Sequence, residues 1–179
     1  MFDPTVFDNL KVAFENDLYD LDNLDRRIAI SDRKDTIEMS VMEREFRLQF
    51  HLVDRPEVSA EVSIHASLKD LAAEILEQPD CEPGCSLTIR FYMMISDEQE
   101  QCRRIDAVLR EIWEPAAALR QTLSHTYVAE NESKLAEWRN VMELNFSRHI
   151  NEEQMGDIPE LVQYMLESLE KLVEVATVR

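Results

Sequence analysis

Glycine is scarce in this chain, in which only Gly84 and Gly156 occur among 179 residues. Phosphate- and nucleotide-binding loops need several glycines within one turn, because a side chain there would keep the backbone away from the phosphate. Neither a dinucleotide fingerprint, nor a P-loop, nor a GxSxG nucleophile elbow can be written anywhere in the sequence. We therefore predict no cofactor, and the common nucleotide-dependent chemistries are disfavoured.

Basic residues are also few, with 19 Lys and Arg against 37 Asp and Glu, so the formal net charge is −18. Such a surface repels phosphate backbones and anionic membrane surfaces, which disfavours nucleic acid and membranes as partners. The acidic residues are spread over both halves of the chain and belong to the folded surface. The charge serves either solubility or the binding of a basic partner, and mimicry of nucleic acid stays open if the charges lie in rows.

Long apolar runs are absent, since no stretch approaches the roughly 18 uninterrupted residues of a membrane span. The first four residues place an acid and a proline where a secretory signal would carry a base and then an apolar run. Cysteine occurs three times, an odd number that argues against a disulfide framework. These features predict a cytoplasmic protein in a reducing environment.

Apolar periodicity is present along the whole chain. A spacing of three and four after the Asp3-Pro4 cap predicts a helix over residues 4–20. Alternation with period two then predicts a hairpin whose turn lies at residues 32–35. Residues 36–53 continue the alternation, but the apolar parity shifts, so they form either one bent strand or two strands joined near residues 42–44.

Further strands and one short helix follow in the first half of the chain. Residues 58–64 alternate and predict a strand with one polar face. Ser67 and Asp70 form a capping box that starts a short helix, which is expected to cover the sheet. Residues 87–95 are the most apolar and β-prone segment, and we predict that they form a central strand.

Helical spacing prevails from Ser96 onward. It predicts one helix that Pro115 kinks or splits, a second stripe over residues 135–150, and a last helix from Ile158 to Val175. The predicted fold class is α+β: an N-terminal helix, an antiparallel sheet of four to five strands with a covering helix, and a C-terminal region of three to four helices. We expect a sheet unit at 1–96 and a helical unit at 97–179, packed together as one compact domain.

Cys81 and Cys85 are the only candidates for a metal or redox site. They lie four residues apart in a turn-forming loop, where two thiols can face one ligand. A structural zinc site needs a second ligand pair at local spacing, and none is present. Glu82 adds negative charge that raises thiol pKa. The four histidines match no metal or nucleophile motif, so no residue is predicted to be catalytic.

The order helix, three strands, helix, strand and helix, with strong acidity, resembles type III secretion chaperones over about the first 100 residues. The resemblance implies a non-enzymatic binding or assembly protein. We expect a homodimer or a complex with another polypeptide, formed through residues 87–95 or a C-terminal helix face that includes Leu161 and Leu169. The alternative is a small-molecule-binding protein or enzyme, whose pocket between sheet and C-terminal helices uses carboxylates or the Cys81/Cys85 pair.

Overall fold

Six antiparallel strands carry four α-helices on one face in the computed structural model, which describes residues 5–76, 83–126 and 137–177. The spatial order of the strands is β1-β2-β3-β4-β6-β5. The fold class is α+β, as predicted. In chain order the elements are α1 (Val6–Asn23), β1 (Ile28–Glu38), β2 (Glu43–Leu52), β3 (Arg55–Ala66), α2 (Leu68–Ile75), β4 (Ser86–Ile95), α3 (Glu98–Trp113), β5 (Ala117–Ser124), β6 (Trp138–Phe146), a 3₁₀ helix (Glu152–Asp157) and α4 (Ile158–Thr177).

Helix α1 confirms the first helical prediction and extends to Asn23. Its N-cap is Thr5, whose hydroxyl accepts a hydrogen bond from the backbone N–H of Asp8, while the predicted cap Asp3 lies outside the described residues. One face of the helix is buried against the sheet. The buried residues are Phe7, Leu10, Phe14, Leu18 and Leu21.

Strands β1 and β2 form one long hairpin, and the predicted turn at residues 32–35 is wrong. Those residues lie inside β1, where a bulge follows Ile30, and the turn occupies residues 39–42 instead. The charged residues remain in the strand because they find partners: Arg33 pairs with Glu15. The later turn accounts for the parity shift, so the two-strand alternative for residues 36–53 is the correct one.

The predicted strands and helix that follow are confirmed. Strand β3 contains residues 58–64, and α2 begins with the Ser67/Asp70 capping box in which each side chain accepts from the other residue's backbone N–H. Strand β4 pairs with β3 on one side and β6 on the other. Its buried positions alternate along the strand because successive side chains point to opposite faces of a sheet.

Two of the predicted C-terminal helices are strands. The segment after Pro115 and the stripe at 135–150, both predicted as helical, form β5 and β6 where the structure describes them. The apolar residues that suggested helices are Leu119 and Leu123, and Trp138, Met142 and Phe146. A spacing of four suits a helix face, but it is also twice the period of a strand, so it fits either structure. The sheet therefore has six strands rather than four or five.

The remaining C-terminal elements agree more closely with the sequence pattern. Helix α3 ends at Trp113, before Pro115, and its N-cap is Asp97 rather than Ser96. Helix α4 confirms the last predicted helix. Because β6 pairs directly with β4, residues after position 96 contribute two strands to the same sheet as residues before it.

The two faces of the sheet differ in character. One face packs against the helices in a single core, to which Phe50, Ile89 and Phe91 contribute fully buried side chains. The other face is polar and carries charges in direct cross-strand register. There Arg90 bonds to Glu61 at 3.1 Å and to Glu143 at 2.8 Å. Antiparallel sheets commonly show this division, because one polar face can remain against water.

A charged cluster fastens α1 to the β1–β2 hairpin. Arg44 donates to Asp35 at 3.1–3.2 Å and to Asp8 at 2.8 Å, and its guanidinium lies 4.4 Å from the ring centroid of Phe7. Lys11 Nζ adds a 3.0 Å bond to Asp35. Burial opposes ionisation of Asp8 and Asp35, but it is outweighed at Asp8 by the hydrogen bond from the Thr5 hydroxyl and by Arg44, and at Asp35 by Arg44 and Lys11, so the pKa of both carboxyls is lowered.

We expect Arg44→Met to reduce the free energy of unfolding by about 2 kcal/mol at pH 7, because it removes the guanidinium that two half-buried carboxylates share. A lowered pKa stabilises the folded state above the ordinary carboxyl value of about 4, and this contribution is lost as pH falls through the folded-state pKa. The difference between variant and wild type should therefore shrink towards pH 3. Urea denaturation followed by circular dichroism measures it.

The matched control is Arg103→Met, which removes an exposed pair with Glu100. Exposed pairs contribute less than about 1 kcal/mol, so this variant should unfold close to the wild type at both pH values. Equal losses for Arg44→Met at pH 7 and pH 3 would contradict a role for ionised Asp8 and Asp35.

Candidate functional site

An open cleft of about 310 Å³ lies where α4 begins, between the helical layer and the sheet. We call it the α4 cleft. Five elements surround it: α1, β4, β6, the 3₁₀ helix and α4. The lining residues are Phe14, Leu87, Phe146, Ile150, Gln154, Asp157, Ile158, Glu160, Leu161 and Tyr164.

The inner lining of the α4 cleft is apolar. Phe14, Leu87 and Ile158 are buried and belong to the core, whereas Phe146 and Leu161 are only half-buried. The polar lining residues Asp157, Glu160 and Tyr164 are exposed and therefore stand at the mouth. An apolar interior with a few polar groups at the entrance is the usual composition of a binding site.

Trp113 supports the cleft from behind. Its ring meets those of Phe146 and Tyr164 edge-on, with 5.9 Å between ring centroids in both pairs. The indole Nε1 donates to Ser168 Oγ at 2.9 Å, and that hydroxyl donates to the backbone carbonyl of Tyr164 at 2.7 Å. Two lining residues are thus held by a buried aromatic group, whose fluorescence will respond to changes in the cleft.

A backbone bridge places the far wall of the cleft. Cys85 and Ile150 exchange two N–H···O=C bonds of 2.8 and 2.9 Å. Gly84 allows this approach, because a Cβ there would stand 2.9 Å from the carbonyl oxygen of Ile150. Next to the bridge, Asn151 and Gln154 form a capping box that starts the 3₁₀ helix. The wall of the cleft therefore depends on contacts between distant parts of the chain.

The polar groups at the mouth lie close together. Tyr164 donates its hydroxyl to Glu160 at 2.8 Å, one helical turn away, and this bond raises the pKa of the phenol. Asp157 stands at the end of the 3₁₀ helix, one turn before Glu160. The mouth thus presents two carboxylates and a phenol to whatever enters.

Cys85 lies inside the core, between α1 and α2, and forms no disulfide with any described residue. Burial, together with the nearby carboxylates of Asp70 and Glu74, raises the pKa of its thiol to about 12. Cys81 falls outside the described residues. Among residues 5–76, 83–126 and 137–177, no cluster of three or more His, Cys, Asp or Glu side chains could hold a metal ion.

The histidines stand far apart in the fold. His51 and His65 lie on the polar face of their strands, as the alternation predicts, and His65 approaches Glu43 at 3.3 Å. His125 and His149 lie in segments for which the apolar spacing predicted helices, and this is wrong: the first follows β5, and the second precedes the Cys85–Ile150 bridge. No two of the four share a site.

The predicted interaction residues divide between the core and the cleft. Leu169 is fully buried, so a charge there would unfold the protein rather than separate two copies, whereas Leu161 lines the cleft. Along residues 87–95, the odd-numbered side chains are core, and only Met94 is exposed. Phe146 and Ile150 were missed as site residues because they were assigned to a helix face.

A second apolar surface occurs at the end of the β1–β2 hairpin. Four apolar side chains there are about half or more exposed, and we call them the hairpin tip. They are Ile37 at 56%, Met39 at 71%, Val41 at 48% and Met42 at 47%. A third group of exposed apolar side chains, Leu68, Ile75 and Leu76, lies on α2 and its C-cap.

No protein-family model, curated protein or solved structure matches this chain. None of the described helices is both long and apolar enough to cross a membrane.

We expect Gly84→Ala to lower the free energy of unfolding by about 1–3 kcal/mol, because the backbone must move to make room for the new methyl group. Gly156→Ala is the matched control, since nothing lies within 4 Å of a Cβ at that position. That change should be neutral or stabilise by up to about 1 kcal/mol, because it restricts the unfolded chain. Urea denaturation measures the free energy of unfolding of both variants. Similar losses of stability in the two would contradict the close approach of Gly84 to Ile150.

We expect Cys85 to resist alkylation by iodoacetamide at pH 8 in the native protein, because its thiol is buried and protonated. Peptide mapping by mass spectrometry should find Cys85 modified only after addition of urea. Half-buried Cys102 provides the internal comparison and should react faster than Cys85. Equal rates for Cys85 with and without urea would show that the thiol is accessible.

Proposed function

We propose that this protein is a non-enzymatic interaction module that binds an apolar segment of another polypeptide in the α4 cleft. The observation that carries the proposal is the open apolar cleft of about 310 Å³. Its half-buried side chains keep apolar surface that a bound partner can cover. Burying one large apolar side chain contributes about 1.5–3 kcal/mol, so one or two anchors provide useful affinity. An amphipathic helix supplies such anchors at positions i, i+3 and i+4.

The structure around the cleft suits a binding role. Trp113 and the Cys85–Ile150 bridge hold two of its walls, so little ordering is required when a partner enters. The charged groups stand at the mouth, where they select a partner by charge while they stay hydrated, and the amide oxygen of half-buried Gln154 already accepts from the backbone N–H of Asn151. An apolar interior beneath such a mouth favours a segment with apolar and polar sides.

A small molecule is the second candidate occupant. The volume of the cleft lies at the lower end of the roughly 300–1,000 Å³ that ligand sites span. For an enzyme, Asp157, Glu160 and Tyr164 would be the polar groups nearest a bound substrate. A ligand of this kind should raise the melting temperature in a metabolite screen, because it stabilises the native state by mass action.

The test uses a synthetic amphipathic peptide of about 18 residues, with leucines at i, i+3, i+4 and i+7 and neutral glutamines elsewhere. Binding is followed by the fluorescence of Trp113 in a Trp138→Phe background. We expect Leu161→Asp to weaken binding about 10-fold or more, because a charge replaces an apolar wall. Leu161→Phe, which fills part of the cleft without adding charge or a second fluorescent indole, should act in the same direction.

Met94→Asp is the matched control, since Met94 is exposed on the opposite face of the sheet. It should leave peptide binding unchanged. Native mass spectrometry of the protein alone shows whether a second copy or a retained molecule occupies the cleft. No peptide binding in any variant, with an organic mass retained by the wild type, would favour the small-molecule alternative.

A further inference from the structure

Among the described residues, acidic side chains strongly outnumber basic ones on the helical side of the sheet. Helix α1, the 3₁₀ helix and α4 together hold twelve acidic and two basic side chains. These elements surround the α4 cleft. Arg27, Arg33 and Arg44 reach this side from outside the three elements and neutralise only part of the charge, so an excess of acidic side chains remains there.

The opposite face of the sheet neutralises itself. Its acidic residues lie across from basic ones on neighbouring strands: Glu61 and Glu143 both contact Arg90, and Arg120 contacts Glu143 at 2.6 Å. Lys34 pairs with Asp32 and Arg47 with Glu45 on the same face. A positively charged partner would therefore be attracted more strongly to the helical side than to this face.

Helix α4 carries a row of four exposed carboxylates that begins at the cleft. Glu160 stands at the mouth, and Glu167, Glu170 and Glu174 follow along the solvent side. Fourteen residues of helix separate the first from the last, which corresponds to about 21 Å. We call these four residues the acidic row.

The protein neutralises the acidic row only in part. Lys171 contacts Glu167 at 3.1 Å, and Arg27 approaches Glu170 at 3.8 Å. Glu160 accepts from the neutral hydroxyl of Tyr164. These contacts are exposed, so they contribute little stability and can be exchanged for contacts with a partner.

Resting on the proposed function, we propose that the occupant of the α4 cleft is a basic amphipathic helix of another protein. Its apolar side enters the cleft, and its lysines and arginines lie along the acidic row. Charge complementarity argues for this partner, and it argues against a second copy, which would bring its own net charge of −18 to the same surface. The acidic row also fits mimicry of nucleic acid, because that function requires negative charges in a row. A nucleic-acid-binding protein that recognised the row would bind it through a basic segment of the same kind.

The test compares the neutral Leu/Gln peptide with a peptide in which lysines replace the glutamines. We expect the lysine peptide to bind the wild type about 10-fold or more tightly at 50 mM salt than the neutral one. The advantage should fall steeply at 500 mM salt, where exposed charges are screened. Leu161→Asp tests whether apolar contact with the cleft is also needed, and it should weaken binding of the neutral peptide.

Charge-matched variants separate the acidic row from the overall charge. Glu160→Gln with Glu167→Gln should weaken the lysine peptide about 5-fold or more and leave the neutral peptide unaffected. The control is Asp32→Asn with Glu57→Gln, which removes the same charge from the polar face of the sheet, opposite the helices. This pair should change lysine-peptide binding less than 2-fold.

The outcomes distinguish the two proposals. Equal affinity for both peptides, with loss on Leu161→Asp, would overturn the basic partner and keep the proposed function. If both double variants weakened binding of the lysine peptide equally, the attraction would come from the overall charge of the protein rather than from the acidic row. That result would also overturn the inference. Failure of both peptides to bind would overturn the proposed function itself, and a dimer in native mass spectrometry would then assign the cleft to a second copy.

Discussion

Burial on a single face of the sheet is the constraint on which the rest of this structure depends. Alternating apolar residues of the strands, such as Phe46 and Phe91, meet the apolar stripes of α1 and α4 in one core. Three long helices must cover six strands, and the cover is incomplete where α4 begins. Phe146 and Ile150 remain half-buried at that place, so the α4 cleft is a consequence of how the layer of helices ends.

The polar face of the sheet meets a different requirement. Glu61 is buried there, and a buried carboxylate needs partners because its desolvation is costly. Arg90 and the hydroxyl of Tyr92 both donate to it at 3.1 Å. Burial and the adjacent Glu61 raise the pKa of Tyr92 to about 12, so the phenol stays a donor at physiological pH. Charge is thereby balanced on this face, and the helical side keeps the excess.

Local signals in the sequence predicted much of the fold, and non-local ones did not. The stripe of α1, the capping box at Ser67 and the alternation in β3 are readable because neighbouring residues decide them. The spacing of four in β5 and β6 is ambiguous between helix and strand, and only pairing with β4 resolves it. The cleft gathers residues from five elements, so Leu161 was the only part of its lining that helix periodicity identified as a candidate for contact.

The alternation of Glu61, Arg90, Glu143 and Arg120 across four strands has a consequence for assembly of the sheet. Strands β4 and β6 pair although Arg90 and Glu143 are 53 positions apart, so no tight turn sets their alignment. A slide of two residues would keep apolar side chains inward yet remove Arg90 from between its two acids. The ion pairs thus distinguish between alignments that burial of apolar side chains alone would allow. They select one register for β6 and β5, the last two strands in the sequence, against β4.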